Sequence, residues 1–349
     1  MKKPIVIVFL LYTNAITLVF SQNFHFEEAQ RLDSDINSSG EDFMPLLSPN
    51  DSVLFFSRVL HPDNVGGEIG GADIWKTQLT TDGWSAPENN INSWNNKGNN
   101  AVLGIHESGK IIYLLNTYDS KRGISFSKKI DGNWSKPESI KLKGLSSTGY
   151  TGFYVSEDYN HILISMEGED TEGDQDLYIS NRQADGKWSE PLNLGPTVNK
   201  PGFEISPFLT PDTRHLFFAS NGHDGFGDAD IFVCERLYDS WDVWSAPNNL
   251  GPEINSSGFD AYFSMSSGGQ ALFSSNRSLG VGMSDIYSSE LRKKKSSVLP
   301  DSVAAMLREA NELLKKDKDE TRSFLFSFDP NSSEVSYVNR VSIENYINS

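Results

Sequence analysis

Short apolar runs separated by turn residues fill most of the chain. Val53-Leu54-Phe55-Phe56, Ile111-Ile112-Tyr113-Leu114 and Leu216-Phe217-Phe218 each follow a turn signal, namely Ser48-Pro49-Asn50-Asp51, Glu107-Ser108-Gly109 and Thr210-Pro211-Asp212. Runs this short, rich in branched and aromatic residues and bounded by Pro, Gly, Asn and Asp, predict strands buried on both faces. A helical solenoid would show a 3.6-residue period instead, and a β-helix would repeat at a shorter interval.

The runs belong to a repeat. Trp-Ser-x-Pro occurs at Trp84-Ser85-Ala86-Pro87, Trp134-Ser135-Lys136-Pro137, Trp188-Ser189-Glu190-Pro191 and Trp244-Ser245-Ala246-Pro247, each after a turn such as Asp82-Gly83 or Asp185-Gly186. Upstream of it lies Asp-aliphatic-aromatic: Asp73-Ile74-Trp75, Asp176-Leu177-Tyr178, Asp230-Ile231-Phe232 and Asp285-Ile286-Tyr287, degraded in the second repeat to Gly123-Ile124-Ser125-Phe126. Four short strands per unit of about 50 residues predict an all-β, five-bladed β-propeller. The N-terminal segment sharpens this. Asp35-Ile36-Asn37-Ser38-Ser39-Gly40 reappears as Glu253-Ile254-Asn255-Ser256-Ser257-Gly258, and the ungapped alignment sets Phe26 against Trp244 and Leu32 against Leu250. The segment therefore reads as the outer strand that the fifth repeat lacks, closing the ring and removing exposed sheet edges.

Outside residues 22–291 the pattern changes. Lys2 and Lys3 precede a mostly apolar stretch from Ile5 to Phe20, with Val19 and Ser21 placed for cleavage before Gln22, so 1–21 read as a signal peptide. Residues 292–349 form an extension, in which Val303, Met306, Leu307, Ala310, Leu313 and Leu314 predict an amphipathic helix at about 301–316. The formal net charge is −17, or −19 once Lys2 and Lys3 are removed, which disfavours nucleic acid and anionic lipid. Cys234 is the only cysteine, so an exported chain has no internal disulfide and depends on its core.

The units Leu47-Ser48-Pro49-Asn50-Asp51-Ser52-Val53-Leu54-Phe55-Phe56-Ser57 and Phe208-Leu209-Thr210-Pro211-Asp212-Thr213-Arg214-His215-Leu216-Phe217-Phe218, with Ser275-Asn276-Arg277 and Asp285-Ile286-Tyr287, resemble the WD40-like PD40 repeats of the TolB type. The Trp-Ser-x-Pro, Leu-Gly-Pro and Ile-Asn elements resemble the variety in exported proteins of Bacteroidota. The resemblance covers about residues 24–291 and implies a periplasmic, outer-membrane-associated or secreted protein. It is specific for fold and weak for function.

Candidate chemistry is sparse. The repeated Asp73, Asp176, Asp230 and Asp285 read as turn acceptors, because a catalytic group is needed once and a turn residue in every blade. The Trp-Ser-x-Pro tryptophans read as packing for the outer strands. Two loops share Asp-x3-Asp-x-Asp: Asp170, Asp174 and Asp176, then Asp224, Asp228 and Asp230. Their carboxylates suit Ca2+, a hard cation, although the distal Glu of an EF-hand is missing; polar hairpin loops are the alternative. No cofactor is required by any motif. A glycosidase would need two carboxylates across a sugar bond, and nothing singles out a pair among 47 acidic residues. His106, His161, His215 and His223 are scattered, and Cys234 follows an apolar strand as a buried thiol would. The expectation is a non-enzymatic binding or scaffold propeller that engages another cell-envelope protein or peptide. The alternative is a carbohydrate-binding or glycoside-hydrolase-like propeller.

Overall fold

A computed structural model describes residues 24–91, 93–116, 123–146 and 149–292. The signal peptide and the C-terminal helix expected from the sequence lie outside these residues. Five antiparallel sheets form five blades of a β-propeller. From the axis outward, blade 1 contains Glu41–Leu47, Val53–Val59, Asp73–Thr80 and Gly83–Trp84. Blade 2 contains Val102–Ile105, Ile111–Leu115, Ile124–Ile130 and Glu138–Ile140, with Asn133–Trp134 pairing beside the last. Blade 3 contains Thr151–Val155, His161–Met166, Asp176–Asn181 and Leu192–Asn193. Blade 4 contains Glu204–Leu209, His215–Ser220, Asp230–Glu235 and Asn248–Asn249. Blade 5 contains Asp260–Met265, Gln270–Ser275 and Asp285–Glu290, and its fourth strand is Gln30–Arg31, with Gln30 opposite Ser288 and Arg31 opposite Tyr287.

The second and third strands are buried on both faces, which is why their runs are apolar without alternation. Stacked rings such as Phe217 on Phe263, at 4.4 Å, join blades 4 and 5. The Trp-Ser-x-Pro serine is a fastener. Its hydroxyl accepts the N–H of Gln78, Lys128, Asn181 or Glu235 on the third strand of its own blade. Its carbonyl accepts the hydroxyl of Thr77, Ser127 or Ser180 in the first three blades. In blade 5 the carbonyl of Glu27 takes that role, accepting from Ser289.

In blades 1, 3, 4 and 5 a second fastener ties the connector that follows the outer strand back to the blade's own third strand. Asn95, Asn199 and Asn255 are buried, and each side chain accepts the N–H and donates to the C=O of Ile74, Leu177 or Ile231. Asn37 makes the same pair of bonds to Ile286, 249 residues away in sequence. Close backbone crossing accompanies it: a Cβ on Gly282 would run into the carbonyl of Gly40, as one on Gly227 would into that of Gly258.

Candidate functional site

The first strands of the five blades surround the axis. In blades 1, 4 and 5 the pairing to the second strand shifts register, between Phe43 and Leu46, Ile205 and Phe208, and Ala261 and Ser264. At the shift Met44, Ser206 and Tyr262 are held at φ 55°, 47° and 57°. Non-glycine residues rarely occupy this left-handed region, and bulges of this kind re-aim side chains beside functional sites. All three line a small axial cavity of about 40 Å³ together with Leu103, Phe153 and Phe208. Hydrogen bonds between blades fix the wall: Ser264 Oγ to the Pro45 carbonyl at 2.7 Å, the Tyr262 N–H to Ser206 Oγ at 3.0 Å, and Tyr154 Oη to the Leu209 carbonyl at 3.0 Å.

The mouth at the start of these strands is aromatic. Phe43 of blade 1 lies 5.5 Å from Tyr262 of blade 5, and Phe203 of blade 4 lies 6.0 Å from Phe259 of blade 5. Tyr150, 44% exposed at the entry to blade 3, brings its phenol near that of Tyr262, where the two interact. Its ring folds over Gly152, where a Cβ would sit 2.8 Å from the phenol oxygen. Glu41, half-buried, completes the mouth: burial first, then neighbouring Asp42, holds its carboxyl above the usual range.

The other acids at the strand starts are occupied. Asp42 Oδ1 accepts from Arg58 Nε at 2.5 Å, Asp42 Oδ2 accepts from the Ser38 N–H at 2.6 Å, and the Arg58 guanidinium also reaches the Ile36 carbonyl. Asp260 repeats this with Arg277, Ser256 and the Ile254 carbonyl. In blade 4 the acid is Glu204. It accepts from Ser220 Oγ at 2.6 Å and the Lys200 N–H at 3.0 Å, while His223 Nε2 sits 2.7 Å from the Val198 carbonyl. Burial pushes the Glu204 carboxyl up to about 7, against the opposing pull of Ser220 and Lys200. A carboxyl poised near neutrality suits acid–base catalysis, but Glu204 is 0% exposed and its two oxygens are taken by Ser220 and Lys200.

Around the mouth, the loops joining second to third strands differ by blade. Those of blades 4, 5 and 1 expose Phe226 (55%), Leu279 (94%), Val281, Met283 (63%), Val65 and Ile69 (98%). The blade 3 loop is acidic, with Glu167, Glu169, Asp170, Glu172 and Asp174 exposed. At the opposite end of the axis a mixed cavity of about 50 Å³ is lined by Asp51, Glu157 and Ser266 beside Leu46, Ile105 and Phe208. Glu157 is pushed up by burial and then by Glu107, Asp158 and Asp51.

The six loop aspartates take different positions. Asp176 and Asp230 are buried and serve their own loops, accepting from the Glu172 N–H at 3.2 Å and the Phe226 N–H, and from Asn193 and Asn249 at 3.0 and 3.1 Å. Asp73 and Asp285 behave alike, accepting from Val65 and Val281. Asp170 Oδ1 accepts from the Tyr178 hydroxyl at 2.7 Å, while Asp174, Asp224 and Asp228 are exposed. Among the described residues no three His, Cys, Asp or Glu side chains are grouped to hold a metal ion. Cys234 is buried, and burial raises its thiol. Sequence reasoning missed the acid clasps and the aromatic mouth. The clasps had a signal, an acid five residues after the Asn fastener at Asn37–Asp42, Asn199–Glu204 and Asn255–Asp260.

No protein-family model and no curated protein sequence matches the chain. Solved structures similar to it include TolB from Acinetobacter baumannii, at 12% identity and TM-score 0.42, covering 74% of this chain and 56% of that one. The chain thus spans little more than half of that TolB. It is also similar to an alpha-L-arabinofuranosidase from Lactobacillus brevis, at 9% identity and TM-score 0.43, covering 77% of this chain and 92% of that one. A puromycin hydrolase is similar at 14% identity and TM-score 0.39, covering 72% and 38%.

Proposed function

We propose that the chain is an exported, non-catalytic binding propeller of the PD40 type that engages another cell-envelope protein or exposed peptide through its strand-start face. The observation that carries this reading is the apolar arc of Phe226, Leu279, Met283 and Ile69 over three consecutive blades, around an aromatic mouth. Large apolar side chains exposed together on one face mark interaction sites. The acids that a hydrolase would need at the strand starts are engaged in clasps, apart from Glu41. In the same reading the N-terminal segment seals the ring, since Asn37, Gln30–Arg31 and Gly40 occupy the places that Asn255, Asn248–Asn249 and Gly258 hold between blades 4 and 5.

The test pairs in-cell photo-crosslinking from position 279 with a glycan array and a hydrolysis screen. The reading expects crosslinks to one or a few envelope proteins, lost in the double variant Ile69→Ser, Leu279→Ser, and no turnover. Glycan binding or hydrolysis without crosslinks would favour the carbohydrate-active alternative instead.

A further inference from the structure

We infer that the aromatic mouth receives a lysine or arginine side chain of a partner peptide whose neighbouring residues are apolar. This rests on the binding reading above and names the chemistry of the partner. Aromatic side chains from three blades gather at the strand-start mouth, two of them in ring contact. Phe43 and Tyr262 are 5.5 Å apart and tilted by 50°, and the Tyr150 phenol lies near enough to that of Tyr262 for the two to interact. The missing side chain at Gly152 makes room for the Tyr150 ring, and Tyr262 sits at the bulge of its strand. Ring faces carry negative potential and attract a cation, more strongly as the site dries.

Glu41 supplies the charge. It belongs to the same inner strand as Phe43 and, after burial and Tyr150, adds to what raises the Tyr262 phenol. No hydrogen-bond donor or cation among the described residues pairs with it, whereas Asp42, Glu204 and Asp260 all have partners. A half-buried carboxylate beside a second negative group is stabilised by an incoming cation. The rest of the face agrees. The blade 3 loop offers exposed acids on one side, the loops of blades 4, 5 and 1 offer apolar side chains on the other, and the whole chain carries −17. An acidic segment would be repelled. A neutral sugar would use the rings and leave Glu41 unmatched.

Selection of phage-displayed random peptides on the full-length chain tests this. Winners should carry Lys or Arg with apolar neighbours. In calorimetry, replacing that residue by norleucine, or Glu41→Gln in the protein, should weaken binding roughly tenfold or more. Glu41→Gln should not lower the melting temperature, because burial and Asp42 already disfavour the Glu41 charge, so the loss is not misfolding, and Tyr262→Ala should reproduce it. Winners without a cation, or equal affinity for the norleucine peptide, would overturn the inference. If those winners still lose affinity on Leu279→Ser, the binding face stands and only the cation falls. Enrichment of no peptide counts against both.

Discussion

The junction between blades 5 and 1 and the junction between blades 3 and 4 solve one problem with different charges. At each, an acid five residues after a buried Asn accepts a connector N–H, and a nearby side chain fills the carbonyl just before that Asn. Between blades 5 and 1 the acid is Asp42 and the filler is Arg58, whose guanidinium lies 4.5 Å over Trp75. Between blades 3 and 4 the acid is Glu204 and the filler is His223, packed 5.2 Å from Phe232. The geometry is kept while the ion pair is given up. The longer Glu204 side chain reaches Ser220, and its carboxyl remains buried without a guanidinium. The difference teaches that these strand-start acids serve as blade fasteners, and it predicts two junctions with opposite sensitivities.

The largest effect should come from Arg58→Met, which leaves Asp42 buried without its cation. A loss of about 3–5 kcal/mol in urea unfolding is expected; a loss under 1 kcal/mol would remove the clasp from the account. Next comes pH. The Glu204 carboxyl is raised to about 7 from an ordinary 4.5. Its stabilising contribution is therefore full below about 4.5 and is lost as pH climbs through about 7, on the order of 3 kcal/mol. His223, lowered by burial, acts in the other direction at acid pH, so the comparison is between wild type and Glu204→Gln. The variant should lose less stability between pH 5 and pH 8. Parallel curves for the two proteins would contradict the assignment. The smallest effect separates the seam from an ordinary junction. Asn37→Ala and Asn255→Ala should each cost about 1–3 kcal/mol, because both leave a buried third-strand N–H, of Ile286 or Ile231, without its acceptor and take one of two donors from that residue's carbonyl, which keeps the N–H of Leu32 or Leu250. A silent Asn37→Ala beside a costly Asn255→Ala would mean that the N-terminal segment does not fasten the ring.

Much of this scaffold was legible in the sequence. The apolar runs gave strands because both faces of the second and third strands are covered, and the repeated Asp and Ser-x-Pro residues gave turns because each blade needs the same backbone bonds. The match of Asp35–Gly40 to Glu253–Gly258 lies in the same stretch as Asn37 and Asn255, two of the residues that make the fastener bonds. The candidate site was less visible for the opposite reason. Tyr262, Met44 and Ser206 occupy one repeat position with three unrelated side chains, and Tyr150 enters through a connector, so no repeated motif marks the mouth. Nor could spacing reveal that Glu41 and Asp42, adjacent in sequence, face different surroundings.

That adjacency offers the most direct test. Thermal unfolding and calorimetric binding of a selected cationic peptide would be measured side by side on Glu41→Gln and Asp42→Asn. The account predicts that Asp42→Asn lowers the melting temperature markedly, since it strands Arg58 in the core, while Glu41→Gln keeps the melting temperature and loses the peptide. Full peptide affinity in Glu41→Gln, or an unchanged melting temperature in Asp42→Asn, would contradict the division between fastening acid and binding acid on which it stands.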